Sequence, residues 1–98
     1  MTSPEIIDKT YVQGGKDRKR MVRPGNMVEL LPPRPEGKDP KDNRYLSQDQ
    51  YILLSNWLGK GPYPIHEIGI WPCGRVMLYL KLSGGRLPGA YASDFKCV

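Results

Sequence analysis

The sequence predicts a mainly β protein, a small and strongly bent barrel of four to five antiparallel strands. A long proline-rich loop, one short helix and a basic N-terminal arm complete the predicted architecture. Eleven glycines and ten prolines make up 21 of the 98 residues, which favours short elements separated by turns. Along 75–82 a branched aliphatic residue also recurs at every second position, the period of a strand with one buried face. No apolar run is long enough to cross a bilayer.

The basic residues are concentrated near the N-terminus. Lysine and arginine outnumber aspartate and glutamate by 15 to 10, a net charge of +5. Most of this excess lies in residues 16–23, where one acid, Asp17, accompanies five basic residues: Lys16, Arg18, Lys19, Arg20 and Arg23. We therefore predict a flexible basic arm over residues 1–23 and a barrel domain over residues 24–98. A short strand around Thr10–Val12 is the one element that the arm's pattern allows.

The first strand of the barrel domain is predicted over Met27–Leu31. It follows the turn sequence Arg-Pro-Gly-Asn at 23–26, and the prolines after Leu31 end it because proline donates no hydrogen bond to a sheet. Residues 32–46 carry many prolines and charges of both signs. We predict a long surface loop there, and loops of this length are usually functional or disordered.

A short helix is predicted over 48–58. Ser47 and Gln50 have the spacing of a capping box, and Gly59 suits a helix end. The apolar residues from Tyr51 to Leu58 recur at helical spacing. An extended segment over 51–54 remains the alternative, because short apolar runs do not distinguish the two.

The last third of the chain carries the remaining strand signals. Residues 63–68 form a strand-like run, and Gly69–Gly74 is predicted to be a turn with Trp71 at its centre. Along 75–82, Val76, Leu78, Leu80 and Leu82 are predicted to share one face of a strand. A flexible connection at 83–89 precedes a final segment with three expected core contacts: Tyr91, Phe95 and Val98.

Four segments together resemble a known group of proteins. They are G-N-M-V-E-L-L at 25–31, G-K-G-P-Y-P-I-H-E-I-G-I at 59–70, G-R-V-M-L-Y-L-K-L at 74–82 and P-G-A-Y-A-S-D-F-K at 88–96. The pattern is similar to that of small, mostly uncharacterised SH3-like barrel proteins encoded by phages and prophages. The resemblance implies an SH3-like barrel with a one-turn 3₁₀ segment before its last strand. It carries no catalytic motif, and the basic arm and the 32–46 insertion depart from it.

The chain lacks the residue groupings that catalysis or metal binding would require. Its single histidine, His66, adjoins Glu67 in a predicted strand, and neighbours in a strand point to opposite faces. Cys73 and Cys97 lie in no nucleophile motif, and the two form no metal-ligand pair. We predict no enzymatic activity, no cofactor and no metal. Residues 1–15 show no signal-peptide pattern, so both thiols are expected to be free in a reducing compartment.

Aromatic and basic residues supply two binding hypotheses. The first is a protein-binding surface on the barrel, formed by Trp71, Tyr63, Tyr79, Arg75 and Tyr45, since tyrosine, tryptophan and arginine dominate many interfaces. The second is a nucleic-acid contact through Lys16, Arg18, Lys19, Arg20 and Arg23, which would neutralise phosphates. The same arm could equally be a solvated tail.

The first hypothesis ranks higher when the resemblance is added. The resemblance to phage and prophage proteins implies an inhibitor or modulator of a host protein or nucleoprotein complex, in the manner of anti-CRISPR proteins and host-enzyme inhibitors. Its place of action would be the cytoplasm of the bacterial host, and no membrane is expected as a partner. The alternative is an SH3-like protein that binds DNA or RNA through the 16–23 segment. A homodimer paired through an exposed barrel edge is compatible with either.

Overall fold

The computed structural model describes residues 3–13 and 19–98. These residues form eight short strands, one α-helix and two single-turn 3₁₀ helices at 83–85 and 92–94. The elements, in chain order, are β1 (Glu5–Ile7), β2 (Thr10–Gln13), β3 (Lys19–Val22), β4 (Met27–Leu30), α1 (Gln48–Leu58), β5 (Tyr63–Ile70), β6 (Val76–Leu80), β7 (Gly89–Tyr91) and β8 (Phe95–Cys97). The predicted mainly β class with one helix is confirmed.

The strands are joined by antiparallel pairing. Five of them lie in the order β7-β6-β5-β4-β8, and β1 pairs with the second half of β5. Strands β2 and β3 form a separate hairpin that packs against β8 and the 92–94 turn. Within the described residues, β7 and β8 share no strand pairing, so the sheet does not close on itself.

The core lies on the inward faces of β5 and β6. Leu78 and Leu80 are fully buried, as the alternation along 75–82 predicts. They pack with Ile68, Val28 and Phe95, which are also fully buried. The strand is shorter than expected and ends at Leu80, because the backbone N–H of Leu82 donates to the Arg86 carbonyl at 2.8 Å and closes a loop.

Helix α1 matches its predicted bounds, so the extended alternative over 51–54 is wrong. The Ser47 hydroxyl accepts from the Gln50 N–H at 3.2 Å, and the Gly59 N–H donates to the Ser55 carbonyl at 2.8 Å. Gly59 has a φ of 81°, a conformation that favours glycine at a helix end. Leu54 packs in a small second cluster with Leu31 and Leu46. In the part of the chain described, no helix has the length and apolar character that a membrane span requires.

Backbone hydrogen bonds join the two ends of the connection between β4 and α1. Leu46 donates its N–H to the Pro32 carbonyl at 2.9 Å, and Arg34 donates to the Leu46 carbonyl at 2.8 Å. Further along, the Arg44 side chain hydrogen-bonds to both carboxylate oxygens of Asp42. These hydrogen bonds lower the pKa of Asp42 from 3.8 to about 2.

The N-terminal segment differs from the flexible arm expected over residues 1–23. Residues 5–7 add a strand to β5, and in the β2–β3 hairpin Val12 and Val22 enter the core. The alternation of Thr10 and Val12 with exposed Tyr11 explains this, because it gives β2 one apolar face. Gly69 allows the approach of the chain before β1, since an added Cβ would lie 2.8 Å from Pro4 Cβ. Lys16 and Arg18 lie outside the described residues.

Candidate binding site

An open groove of about 620 Å³ lies where β2, the start of β6 and the end of β7 meet. Its walls are mainly apolar and aromatic. We call it the tyrosine groove, and its lining residues are Tyr11, Gln13, Arg75, Val76, Tyr91, Ala92 and Ser93. A concave apolar surface with few polar groups is the usual form of a binding site.

The turn between β5 and β6 positions the cation of this groove. The Trp71 N–H donates to the Arg75 carbonyl at 2.9 Å, and the Gly74 N–H donates to the Trp71 carbonyl at 2.8 Å. Gly74 adopts a φ of 92°, which glycine reaches without steric cost. Arg75 is therefore held at the entry of β6, where its side chain is exposed and its guanidinium carbon lies 3.6 Å from the Tyr91 ring centroid.

Arg75 has no ion-pair partner among residues 3–13 and 19–98. The two salt bridges of these residues join Arg44 to Asp42 and Lys96 to Glu29. The charge of Arg75 does act on Asp94 in the neighbouring 3₁₀ turn. Burial raises the pKa of the Asp94 carboxyl, and both the Arg75 charge and a hydrogen bond with Gln50 oppose that rise.

Tyr63 does not belong to a partner surface, contrary to our expectation. Its side chain is only 2% exposed, and its ring meets Phe95 edge to face with centroids 6.2 Å apart. Its hydroxyl donates to the Gly59 carbonyl at the end of α1. Burial, with a smaller contribution from Tyr51, raises the pKa of the Tyr63 hydroxyl. Tyr63 thus fastens the helix to the sheet from inside the core.

The other predicted partner-surface residues lie apart from one another. Trp71, Tyr79 and Tyr45 are each half-buried, and none of them lines the tyrosine groove. The Tyr79 ring covers Gly69 and Gly89 on the two neighbouring strands. The Trp71 Nε1 is buried and has no hydrogen-bond partner in the described structure. Only Arg75 of the predicted set reaches the groove.

Sequence reasoning missed the two tyrosines that define the groove. Tyr11 was assigned to the basic arm, and Tyr91 was expected in the core. Tyr11 is 63% exposed and Tyr91 is half-buried. The available signal for Tyr11 was its position between the inward residues Thr10 and Val12, which places it on the outer face of a strand.

The predicted nucleic-acid residues are only partly described. Arg20 on β3 and Arg23 just after it are both exposed. Arg20 also lines a second hollow of about 460 Å³, together with Met21, Val22, Gly25, Asn26, Met27, Cys97 and Val98. Lys19 belongs to β3. Arg20 and Arg23 therefore both present positive charge to solvent, within and just after β3.

The residues considered for catalysis or metal binding remain scattered. His66 and Glu67 are both exposed, because a register shift in β5 interrupts the alternation between Ile65 and Glu67. Cys73 is exposed and Cys97 half-buried, and both are free thiols. Burial raises the pKa of Cys97, with Arg20 opposing. Residues 3–13 and 19–98 contain no group of three histidine, cysteine, aspartate or glutamate side chains suited to a metal ion.

A second apolar surface lies on the outer face of α1. Ile52, Leu53 and Trp57 are 55%, 63% and 44% exposed. The Arg86 guanidinium donates to the Trp57 carbonyl at 2.8 Å and ties the loop after β6 to this end of the helix. This surface is convex, whereas the tyrosine groove is a depression with a cation at its rim.

Comparison with known proteins returns no match to a family model, a curated protein or a solved structure. The geometry of the groove therefore carries the functional argument.

Proposed function

We propose that this chain is a non-enzymatic binding module that recognises another protein through the tyrosine groove. One observation carries the proposal: Tyr11, Tyr91 and Arg75 converge on a single apolar depression of about 620 Å³. Tyrosine and arginine are the side chains that most often supply the binding energy of protein interfaces. They do so because each combines a large contact area with a directed polar group.

An SH3-like barrel is the finer fold that we propose. Three features support it: the strand order β7-β6-β5-β4-β8, the 3₁₀ turn Ala92–Asp94 between the last two strands, and the bulge in β5. A bulge bends a strand and lets it serve two sheets. The resemblance then supplies a context, that of a phage- or prophage-encoded inhibitor or modulator of a host protein or nucleoprotein complex in the bacterial cytoplasm. Anti-CRISPR proteins are one example of this mode of action.

Affinity capture from a bacterial host lysate tests the proposal. The baits are the wild-type chain, the groove variant Tyr11→Ala/Tyr91→Ala and a control variant, Leu53→Ser, on the outer face of α1. We expect a partner in stoichiometric amount with the wild type and with Leu53→Ser, and its loss with the groove variant. Equal recovery by all three baits would place the binding surface elsewhere. A complete absence of a stoichiometric partner would contradict a protein-binding role.

A nucleic-acid-binding role is the second candidate, favoured by the exposed side chains of Arg20 and Arg23. Substitution of Arg18, Lys19 and Arg20 by alanine should weaken binding and reduce the slope of log affinity against log salt by about three phosphate contacts. A gel-shift series at increasing salt measures this slope. No retardation of duplex or single strands at about 50 mM salt and micromolar protein would rule out this candidate, since phosphate contacts are strongest at low salt.

A further inference from the structure

We infer that the tyrosine groove selects an acidic protein segment, in which a side-chain carboxylate pairs with Arg75 while a neighbouring apolar side chain contacts Tyr11 and Tyr91. This inference rests on the proposed function, because it names the chemistry of the partner that the groove would bind. It makes Arg75 the residue that determines specificity, and it makes the two tyrosines the source of apolar contact area.

The geometry of Arg75 suits carboxylate recognition. One face of its guanidinium is occupied by the Tyr91 ring, at 3.6 Å from the guanidinium carbon to the ring centroid. Its N–H groups donate no hydrogen bond to the residues that the structure describes, and the side chain is exposed. A guanidinium presents its donors as a planar fork that matches a carboxylate, and stacking on a ring reduces the side-chain freedom lost on binding.

The surrounding charges leave this cation available. Asp94 is close enough for its titration to respond to Arg75, yet it is not within 4.0 Å and forms no ion pair with it. Its carboxyl group is half-buried and interacts with Gln50. An incoming carboxylate therefore displaces no salt bridge formed by residues 3–13 or 19–98. The net charge of +5 also favours encounter with an acidic partner.

The lining favours a protein segment over a nucleic acid. A nucleic-acid track needs several cations spaced along phosphates, with aromatic rings for the bases. Among the described residues that line the groove Arg75 is the one cation, and Val76 and Ala92 supply aliphatic walls. The exposed Arg20 borders the other hollow instead. Apolar walls with Arg75 beside them complement an apolar residue next to a carboxylate.

Amide chemical shifts of the full chain test the inference with two matched probes. The probes are the blocked peptides acetyl-Leu-Asp-Leu-Ala-amide and acetyl-Leu-Asn-Leu-Ala-amide, titrated to millimolar concentration at neutral pH. We expect both to shift the amides of Tyr11, Val76 and Ser93, with the aspartate peptide binding about two- to fivefold more tightly, the range that an exposed ion pair supplies. That preference should vanish in Arg75→Gln and persist in Lys81→Gln, a control that removes an exposed cation outside the groove.

The remaining outcomes separate the inference from the proposed function. Equal affinities of the two peptides at the groove would overturn the acidic preference and leave the groove as a protein-binding site. Retention of the aspartate preference in Arg75→Gln would also overturn the inference. Shifts at the groove with a short oligothymidylate, and none with either peptide, would overturn both in favour of a nucleic acid. No shift with any probe would contradict the groove as a binding site and the inference with it.

Discussion

The Arg75 guanidinium carbon lies 3.6 Å from the centroid of the Tyr91 ring, so the start of β6 is linked to the end of β7 across the tyrosine groove. A cation this close to an aromatic face gains about 0.5–1 kcal/mol at an exposed site. The contact holds an otherwise long and rotatable side chain in one place. The electrostatic character of the groove therefore depends on a tyrosine that was expected to be an ordinary core residue.

Substitution Tyr91→Leu should release Arg75. Leucine keeps an apolar side chain in the groove but removes the ring face, so the cation–π attraction is lost. We expect faster motion of the Arg75 Nε–H group, measured by its heteronuclear NOE. Tyr45→Leu is the control, because Arg44 beside it is also held by Asp42 at 2.6 Å and should keep its order. Unchanged Arg75 motion in Tyr91→Leu would show that the ring does not position the arginine.

Substitution Gly74→Ala should destabilise the turn that carries Arg75. Gly74 has a φ of 92°, and the left-handed region costs an alanine about 1–2 kcal/mol. Apart from its chain neighbours, no atom of the described residues lies within 4 Å of the added Cβ, so the cost is conformational and not steric. Urea unfolding measures the loss. Gly74→Asn should lose less, because asparagine tolerates this conformation better, and an equal loss for both variants would contradict the conformational explanation.

Asp94→Asn should stabilise the chain at neutral pH. Burial raises the folded-state pKa of Asp94 above 3.8. A raised folded-state pKa means that the protonated form favours folding, so this stabilisation is complete below the unfolded pKa and is lost as pH rises through the folded pKa. Asparagine has no carboxyl group to ionise, so the variant does not lose this stability as pH rises. Urea unfolding of wild type and Asp94→Asn from pH 3 to pH 7 should show the variant's advantage growing as pH rises.

Two further variants check the assignment of this pH dependence. Glu36→Gln removes an exposed carboxylate that does not line the groove and should leave the wild-type profile unchanged. Arg75→Gln removes a charge that lowers the Asp94 pKa, so carbon NMR titration should find that pKa higher still. An Asp94 pKa that does not respond to Arg75→Gln would show that the two groups are not coupled.

Local patterns predicted the elements but not the groove. The capping residues of α1 and the alternation of Leu78 and Leu80 each lie within a few residues, so both were recognisable in the sequence. In β5 the alternation fails, because a bulge between Ile65 and Glu67 shifts the inward position to Ile68. The turn expected over Gly69–Gly74 begins only at Trp71, because Gly69 and Ile70 continue β5 and Gly69 makes room for Pro4.

The groove itself depends on contacts that are distant in sequence. Tyr11 and Tyr91 are brought together by the packing of β2 against β8 and the 92–94 turn. Tyr11 stands in no motif, and the segment 88–96 that contains Tyr91 indicated a fold but no binding role. The basic residues that follow β2 also made the whole N-terminal segment resemble a solvated arm. The hairpin packs on the sheet because Val12 and Val22 are buried in the core, and the burial of these two apolar side chains stabilises that packing.

Substitution Tyr63→Phe should weaken the attachment of α1 to the sheet. The Tyr63 hydroxyl donates to the Gly59 carbonyl, and phenylalanine keeps the ring packing while removing this bond. We expect a loss of about 1 kcal/mol in the free energy of unfolding. Tyr79→Phe is the control, since the Tyr79 hydroxyl bonds to none of the described residues and its ring packing is kept. Equal stabilities of the two variants would argue against the helix attachment.

Substitution Leu78→Ala or Leu80→Ala should cost about 2–4 kcal/mol, because each side chain is fully buried and its removal leaves a cavity. A domain of this size is stable by only about 5–10 kcal/mol, so a large fraction of either variant should unfold on mild heating. Leu87→Ala is the matched control: Leu87 is 48% exposed and its loss should stay within about 0.5 kcal/mol. Circular dichroism melts compare the three. Wild-type stability for both core variants would contradict the register of β6, and with it the placement of Arg75 and Val76 at the groove.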